Sequence, residues 1–150
     1  MSGFSGKYYY TLDPKGRIII PAPFREIISS NYSPILVFVN DAFDNCLNAF
    51  PAEEWNRHIE KVRALPRSKE AVSYYMKRVV GSATECEMDK QGRVLIPSSL
   101  REDTGLNSEV VIVGQIDRIS IWDKKEWSSV TDPSKIDRKG YMDDLSGLGV

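Results

Sequence analysis

Two decapeptides constrain this chain more than any other feature. "LDPKGRIIIP" occupies residues 12–21 and "MDKQGRVLIP" residues 88–97. At an offset of 76 they share Asp, Gly, Arg and a terminal Pro in one register, and most of the rest pair apolar with apolar. The match runs on: Phe24 falls on Leu100, Arg25 on Arg101 and Glu26 on Glu102. "ILVFV" (35–39) corresponds to "VVIV" (110–113), and "FPAEEW" (50–55) to "WDKKEW" (122–127), now at an offset of 72. The chain is therefore a duplication, with repeats over 7–54 and 83–126.

Each repeat reads alike. "Asp-Pro-Lys-Gly" fits a type I turn, with Asp first, Pro preset for the second position and Gly fourth; "Asp-Lys-Gln-Gly" fits without the Pro. The flanks have strand composition. Pro21 and Pro97 end the second strands and are tolerated at the start of a short helix. Gly105 is placed to end the second of these helices. A further hairpin follows in each repeat, 35–39 with 46–50 and 109–113 with 118–122. Between the repeats, residues 55–82 form a helical linker. Apolar residues at helical spacing predict helices over 52–65 and 69–80, with Ser68 available as a cap for the second. Residues 131–150 read as a mobile tail. One repeat alone exposes strand edges, and edges seek partners. Two repeats pairing into one barrel are a reason for duplication that requires no function.

Bulk charge selects no partner, because twenty basic residues face twenty-one acidic ones. Its distribution is uneven. Residues 1–30 hold four basic groups against two acidic, and residues 51–80 hold seven against four, so a polyanion could meet one local face. Cys46, Cys86 and His58 are too few for a zinc site of Cys/His type. No segment resembles a signal peptide or a membrane span. The expectation is a cytoplasmic protein with no metal and no cofactor.

The two D-x-x-G-R turns, each followed by an aliphatic run and Pro, closely resemble the MraZ family when joined to "LREDTGL" and "VVIVGQIDRISIWDKKEW". The resemblance spans Gly6 to Trp127. Its repeats are similar to DNA-binding domains of the AbrB and MazE type. It implies a β-rich α+β fold in which two swapped-hairpin (SpoVT/AbrB-like) repeats form a pseudo-twofold β-barrel with connecting helices. It also implies a ring-shaped homo-oligomer of about eight to twelve subunits. The implied role is a nucleoid-associated transcription regulator bound to double-stranded DNA, at short direct repeats upstream of the division and cell-wall gene cluster. No membrane and no small-molecule substrate would be involved.

On that reading the turns meet DNA. Lys15 and Arg17 carry the charge in repeat one, Lys90 and Arg93 in repeat two. Gly16 and Gly92 allow close approach of the backbone. Asp13 and Asp89 orient the turns, since phosphate repels a carboxylate. Arg can take two acceptors on guanine or pair with phosphate. The bland reading is that Asp and Arg only pair across the turn, which stabilises modestly. Repeat two is the weaker candidate, because Gln91 replaces Lys15 and Glu85 and Glu87 precede the turn. Arg25 and Arg101 are assigned to solvated helix faces or subunit contacts. The tryptophans are assigned to packing, and Tyr9 to the strand face opposite Tyr8 and Tyr10. Two alternatives stand beside this. An antitoxin-like protein-interaction module would use the same fold. An aspartic hydrolase would need Asp13 and Asp89 to share a proton, but an Arg four residues on favours the ionised form, so the chain reads as a non-enzyme.

Overall fold

The computed structural model describes residues 3–150. Its plan follows from the two turns. Asp13 O accepts from Gly16 N at 2.9 Å, and Asp13 N donates to Arg17 O at 2.9 Å. Asp13 Oδ1 accepts from the backbone N–H groups of Lys15 and Arg17, each at 2.9 Å. Gly16 has φ +86°. A tight turn closed by a left-handed glycine is the usual three-residue hairpin loop. Asp89 repeats every one of these bonds, to Gly92, Arg93 and Gln91, with Gly92 at φ +80°.

Beyond each turn the strands part. β1 (Lys7–Thr11) pairs antiparallel with β7 (Glu109–Gly114) of the other repeat. β5 (Thr84–Glu87) likewise pairs with β3 (Ile35–Asn40). Within the repeats, β3 pairs with β4 (Leu47–Pro51) and β7 with β8 (Ile119–Asp123). β4–β8 pairing joins them into one sheet of order β1-β7-β8-β4-β3-β5. β2 (Arg17–Ile19) and β6 (Arg93–Leu95) form a separate two-stranded ribbon.

The expected closed barrel is therefore corrected: the six-stranded sheet is open, and the ribbon lies over it rather than sealing it. The reason is local. Asp13 takes both backbone groups of Arg17, on the edge of β2 that faces β1. Leu12 N then donates to Ser108 O, carrying the chain away. Pro21 and Pro97, lacking N–H, stop both ribbon strands soon after they begin. The hairpins swap between repeats, but no ladder links β1 to β2 or β5 to β6.

The main core fills the space between sheet and ribbon. Ile18, Ile20, Val94 and Ile96 come down from the ribbon, and Phe24, Ile28 and Leu100 from helices α1 (Ala22–Asn31) and α4 (Ser98–Thr104). They meet Leu36, Phe38, Ile112 and Ile121 of the sheet. The other sheet face is also covered. Val37, Val39 and Phe50 pack with Trp55 and Val79, from α2 (Ala52–Arg63) and the end of α3 (Glu70–Arg78). Val111, Val113 and Trp122 pack beside Trp127 of α5 (Lys124–Val130). Burial on both faces explains why "ILVFV" and "VVIV" do not alternate with polar residues.

Gly105, at φ +64°, caps α4 as expected. Ser68 does not cap α3: its N-cap is Lys69, with no side-chain bond. The 131–150 segment contains a short 3-10 turn and α6 (Arg138–Gly147), none of whose residues is buried. Among the described residues no helix is long and apolar enough to cross a membrane.

Candidate nucleic-acid interface

The ribbon register places the functional side chains. Arg17 stands opposite Leu95, Ile18 opposite Val94 and Ile19 opposite Arg93. At the ends, Ile96 N donates to Gly16 O and Ile20 N to Gly92 O. Each turn therefore lies beside the Pro that opens the other repeat's helix. One helical turn on, that helix carries an Arg, and the Arg reaches back over the turn. A Cβ on Gly16 would lie 2.6 Å from Cζ of Arg101, and a Cβ on Gly92 would lie 2.5 Å from Cδ of Arg25. Arg101 Nε donates to Ile96 O at 3.2 Å, and Arg25 Nη1 to Gln91 O at 3.3 Å.

The glycines are needed twice, for the left-handed backbone and for the crossing arginine. The close approach expected of Gly16 and Gly92 is made here by Arg101 and Arg25. Those two arginines, assigned from sequence to helix surfaces or subunit contacts, belong to the turn cluster. Their shared register was visible; the crossing between repeats was not, because it depends on the swapped pairing.

Asp13 Oδ2 accepts from Arg17 Nε at 2.6 Å, and Asp89 Oδ2 from Arg93 Nε at 2.9 Å. The backbone N–H groups of Arg17 and Arg93 are the leading cause that holds these carboxyls below the ordinary range, with the guanidiniums adding to it. Both carboxylates are thus ionised and committed to their own turn, at opposite ends of the ribbon. A proton-sharing dyad needs the reverse. Each Arg is fixed through Nε alone. Neither Nη of Arg17 or Arg93 has a partner among the described residues, so both forks are open to an acceptor.

Six cationic side chains gather here: Lys15, Arg17 and Arg101 at one end, Lys90, Arg93 and Arg25 at the other. Lys90 stands where repeat one has Pro14, so each turn carries one Lys and one Arg despite Gln91. Glu85 and Glu87 weigh less than the sequence suggests. Cys86 and Met88 pack on the main core, so strand alternation sends the two exposed glutamates to the far sheet face.

Other candidates lie elsewhere. Tyr8 and Tyr10 pack on the core while Tyr9 is 54% exposed, as alternation required. Trp55 and Trp122 are buried. Cys46 and Cys86 are free thiols. Burial pushes the Cys46 thiol far up, which makes it a poor nucleophile. No group of three His, Cys, Asp or Glu able to hold a metal occurs among the described residues.

The family model of the MraZ protein, whose description adds an antitoxin-like label, matches residues 4–74 and 79–140. The chain belongs to the MraZ family. A relative from Acetivibrio thermocellus is 36% identical over 147 residues, covering 98% of this chain and 99% of its own. One from Carboxydothermus hydrogenoformans is 42% identical over 126 residues, covering 84% and 85%. One from Lachnoclostridium phytofermentans is 40% identical over 126 residues, with the same coverage. All three are named transcriptional regulator MraZ. The two family matches each contain one of the D-x-x-G-R turns.

Proposed function

We propose that this MraZ-family chain is a sequence-specific, DNA-binding transcription regulator that meets duplex DNA with the β2–β6 ribbon and its two turns. The observation that carries the reading is the convergence of six cations on the ribbon and its turns, four of them arginines, with the two turn acids, Asp13 and Asp89, bonded back into their own turns. A B-DNA major groove admits a two-stranded ribbon. Arg17 and Arg93 present open guanidinium forks to guanine or phosphate. Lys15, Lys90, Arg25 and Arg101 neutralise phosphates alongside, and Asp13 and Asp89 hold the turns in shape.

The contacts of one subunit are mostly ionic, so its affinity alone is weak and falls with salt in proportion to the phosphates it neutralises. Tight binding to short direct repeats then requires several subunits on one DNA molecule, which multiplies affinity by roughly 10²–10⁴. A ring of about eight to twelve subunits would supply this. The proposed target is DNA upstream of the division and cell-wall genes, the proposed location the nucleoid in the cytoplasm, and the proposed action binding without catalysis. The test is a gel shift on upstream DNA with Arg17→Ala, Arg93→Ala and the double variant, assembly being checked by light scattering. The double variant should lose binding with assembly intact; undiminished binding removes the ribbon from the mechanism.

The antitoxin-like label of the family favours one second reading, an interaction module for a small protein partner. Co-purification of a stoichiometric partner that blocks DNA binding would support it.

A further inference from the structure

The outward face of the ribbon is not uniformly charged. Strand alternation sends Ile18, Ile20, Val94 and Ile96 into the core and leaves Arg17, Ile19, Arg93 and Leu95 facing away. Ile19 is 44% exposed and Leu95 54%. Because Arg17 is paired with Leu95 and Ile19 with Arg93, each aliphatic group stands beside the arginine of the opposite repeat. The face is thus a checkerboard of two cations and two branched hydrocarbons.

Neither aliphatic side chain serves the core, and on a ribbon bathed in water polar residues would serve as well. An apolar protein partner is a poor occupant, since the arginines interrupt the hydrocarbon and no sizeable apolar patch results. The occupant must be anionic and, at the spacing of neighbouring side chains, apolar in places. A DNA major groove has that chemistry. Its walls are phosphate, its floor offers guanine acceptors, and its one hydrocarbon group is the C5-methyl of thymine.

We propose that Ile19 and Leu95 are specificity-determining residues that read thymine by covering its C5-methyl, each beside an arginine that takes guanine or backbone. The inference rests on the DNA-binding reading above and adds which base the aliphatic positions select. Arg17 and Arg93 are held in place for this by Asp13 and Asp89, so the reach of the ribbon face is set before DNA arrives.

The test uses the full-length, assembled protein and DNA enriched by it from a random duplex pool. Each thymine of the enriched sequence is replaced singly by deoxyuridine, which removes only the methyl. Covering one methyl is worth about fourfold in affinity. Wild-type protein should therefore bind about fourfold more weakly at one or more positions. The penalty at a given position should vanish in Ile19→Ala or Leu95→Ala, with binding to the deoxyuridine duplex retained, and Ile19→Val should keep part of it. The proposal is overturned if no deoxyuridine weakens wild-type binding, or if the penalty persists unchanged in both alanine variants. A changed assembled mass in those variants overturns it too, by making the residues subunit contacts. If wild-type protein enriches no sequence and binds no duplex, the DNA-binding reading itself has failed, a result distinct from enrichment without a methyl preference.

Discussion

At the residue scale, the turn glycines are the most exacting positions. Gly16 combines φ +86° with a Cβ direction that runs into the Arg101 guanidinium. Gly16→Ala should cost about 1–2 kcal/mol for the left-handed backbone and should also push Arg101 off the turn. Chemical denaturation of Gly16→Ala with and without Arg101→Ala separates the two effects. A smaller cost in the Arg101→Ala background shows the clash; an equal cost shows backbone strain alone. Ile116 is the converse case, a non-glycine in the left-handed region: an exposed, β-branched residue at φ +70° in the β7–β8 connection. Its backbone still bonds Phe4 in both directions at 2.8 Å, so Ile116→Gly keeps those bonds and should raise stability by about 1 kcal/mol, read as a higher thermal midpoint. The turn was legible in the sequence because Asp, Pro and Gly act on their own neighbours. Nothing local announces that Arg25 sits over Gly92, sixty-seven positions on.

At the element scale, both faces of β3 and β7 are buried, and each of the two sheet faces has its own cover. The helices of that cover were readable from spacing, whereas Ser68 as a cap was not borne out, because α3 starts one residue later than expected and places Lys69 at its N-cap. α2 and α3 are tied by His58 and Tyr75, whose ring nitrogen and hydroxyl meet while His58 stacks on Phe50. Burial, helped by Arg118, lowers the His58 pKa from 6.5. The sign follows from linkage. As pH falls past about 6.5 the unfolded chain takes up this proton and the folded chain does not. Its contribution is therefore complete above about 6.5 and is lost between there and the lower folded value. Stability should rise with pH through that window in the native protein, and His58→Gln should flatten the rise. Asp13 and Asp89, depressed in pKa, act further down: they favour folding above the ordinary carboxylate range and cease to do so as pH falls through their lowered values.

At the scale of the whole molecule, each repeat finishes the other. β1 needs β7, β5 needs β3, and the ribbon takes one strand from each. The duplication was plain in the sequence, and so was the need for edges to be paired. The open sheet was not, because it turns on which backbone groups Asp13 and Asp89 take for themselves. A cut at Pro66–Arg67, in the exposed link between α2 and α3, should leave two fragments that fold together but not alone. Circular dichroism of each fragment and of their mixture checks this; one fragment folding by itself as a monomer refutes the shared core. In the proposed complex, Lys15→Ala should lower the slope of log affinity against log salt by about 0.9 and weaken all sequences alike. Arg17→Ala should weaken the preferred sequence most, by tenfold or more.

Two antiparallel strands of like sequence give the ribbon a near-dyad through the Ile18–Val94 pair. A reader with a true dyad could not tell which way along a duplex it points, yet a direct repeat has a direction. On the proposed reading, the subunit's sense of direction resides in a few unmatched positions: Pro14 against Lys90, Lys15 against Gln91, and Ile19 against Leu95. Rewriting repeat two with Lys90→Pro, Gln91→Lys and Leu95→Ile should leave a protein that grips its site and its reversed site with equal strength.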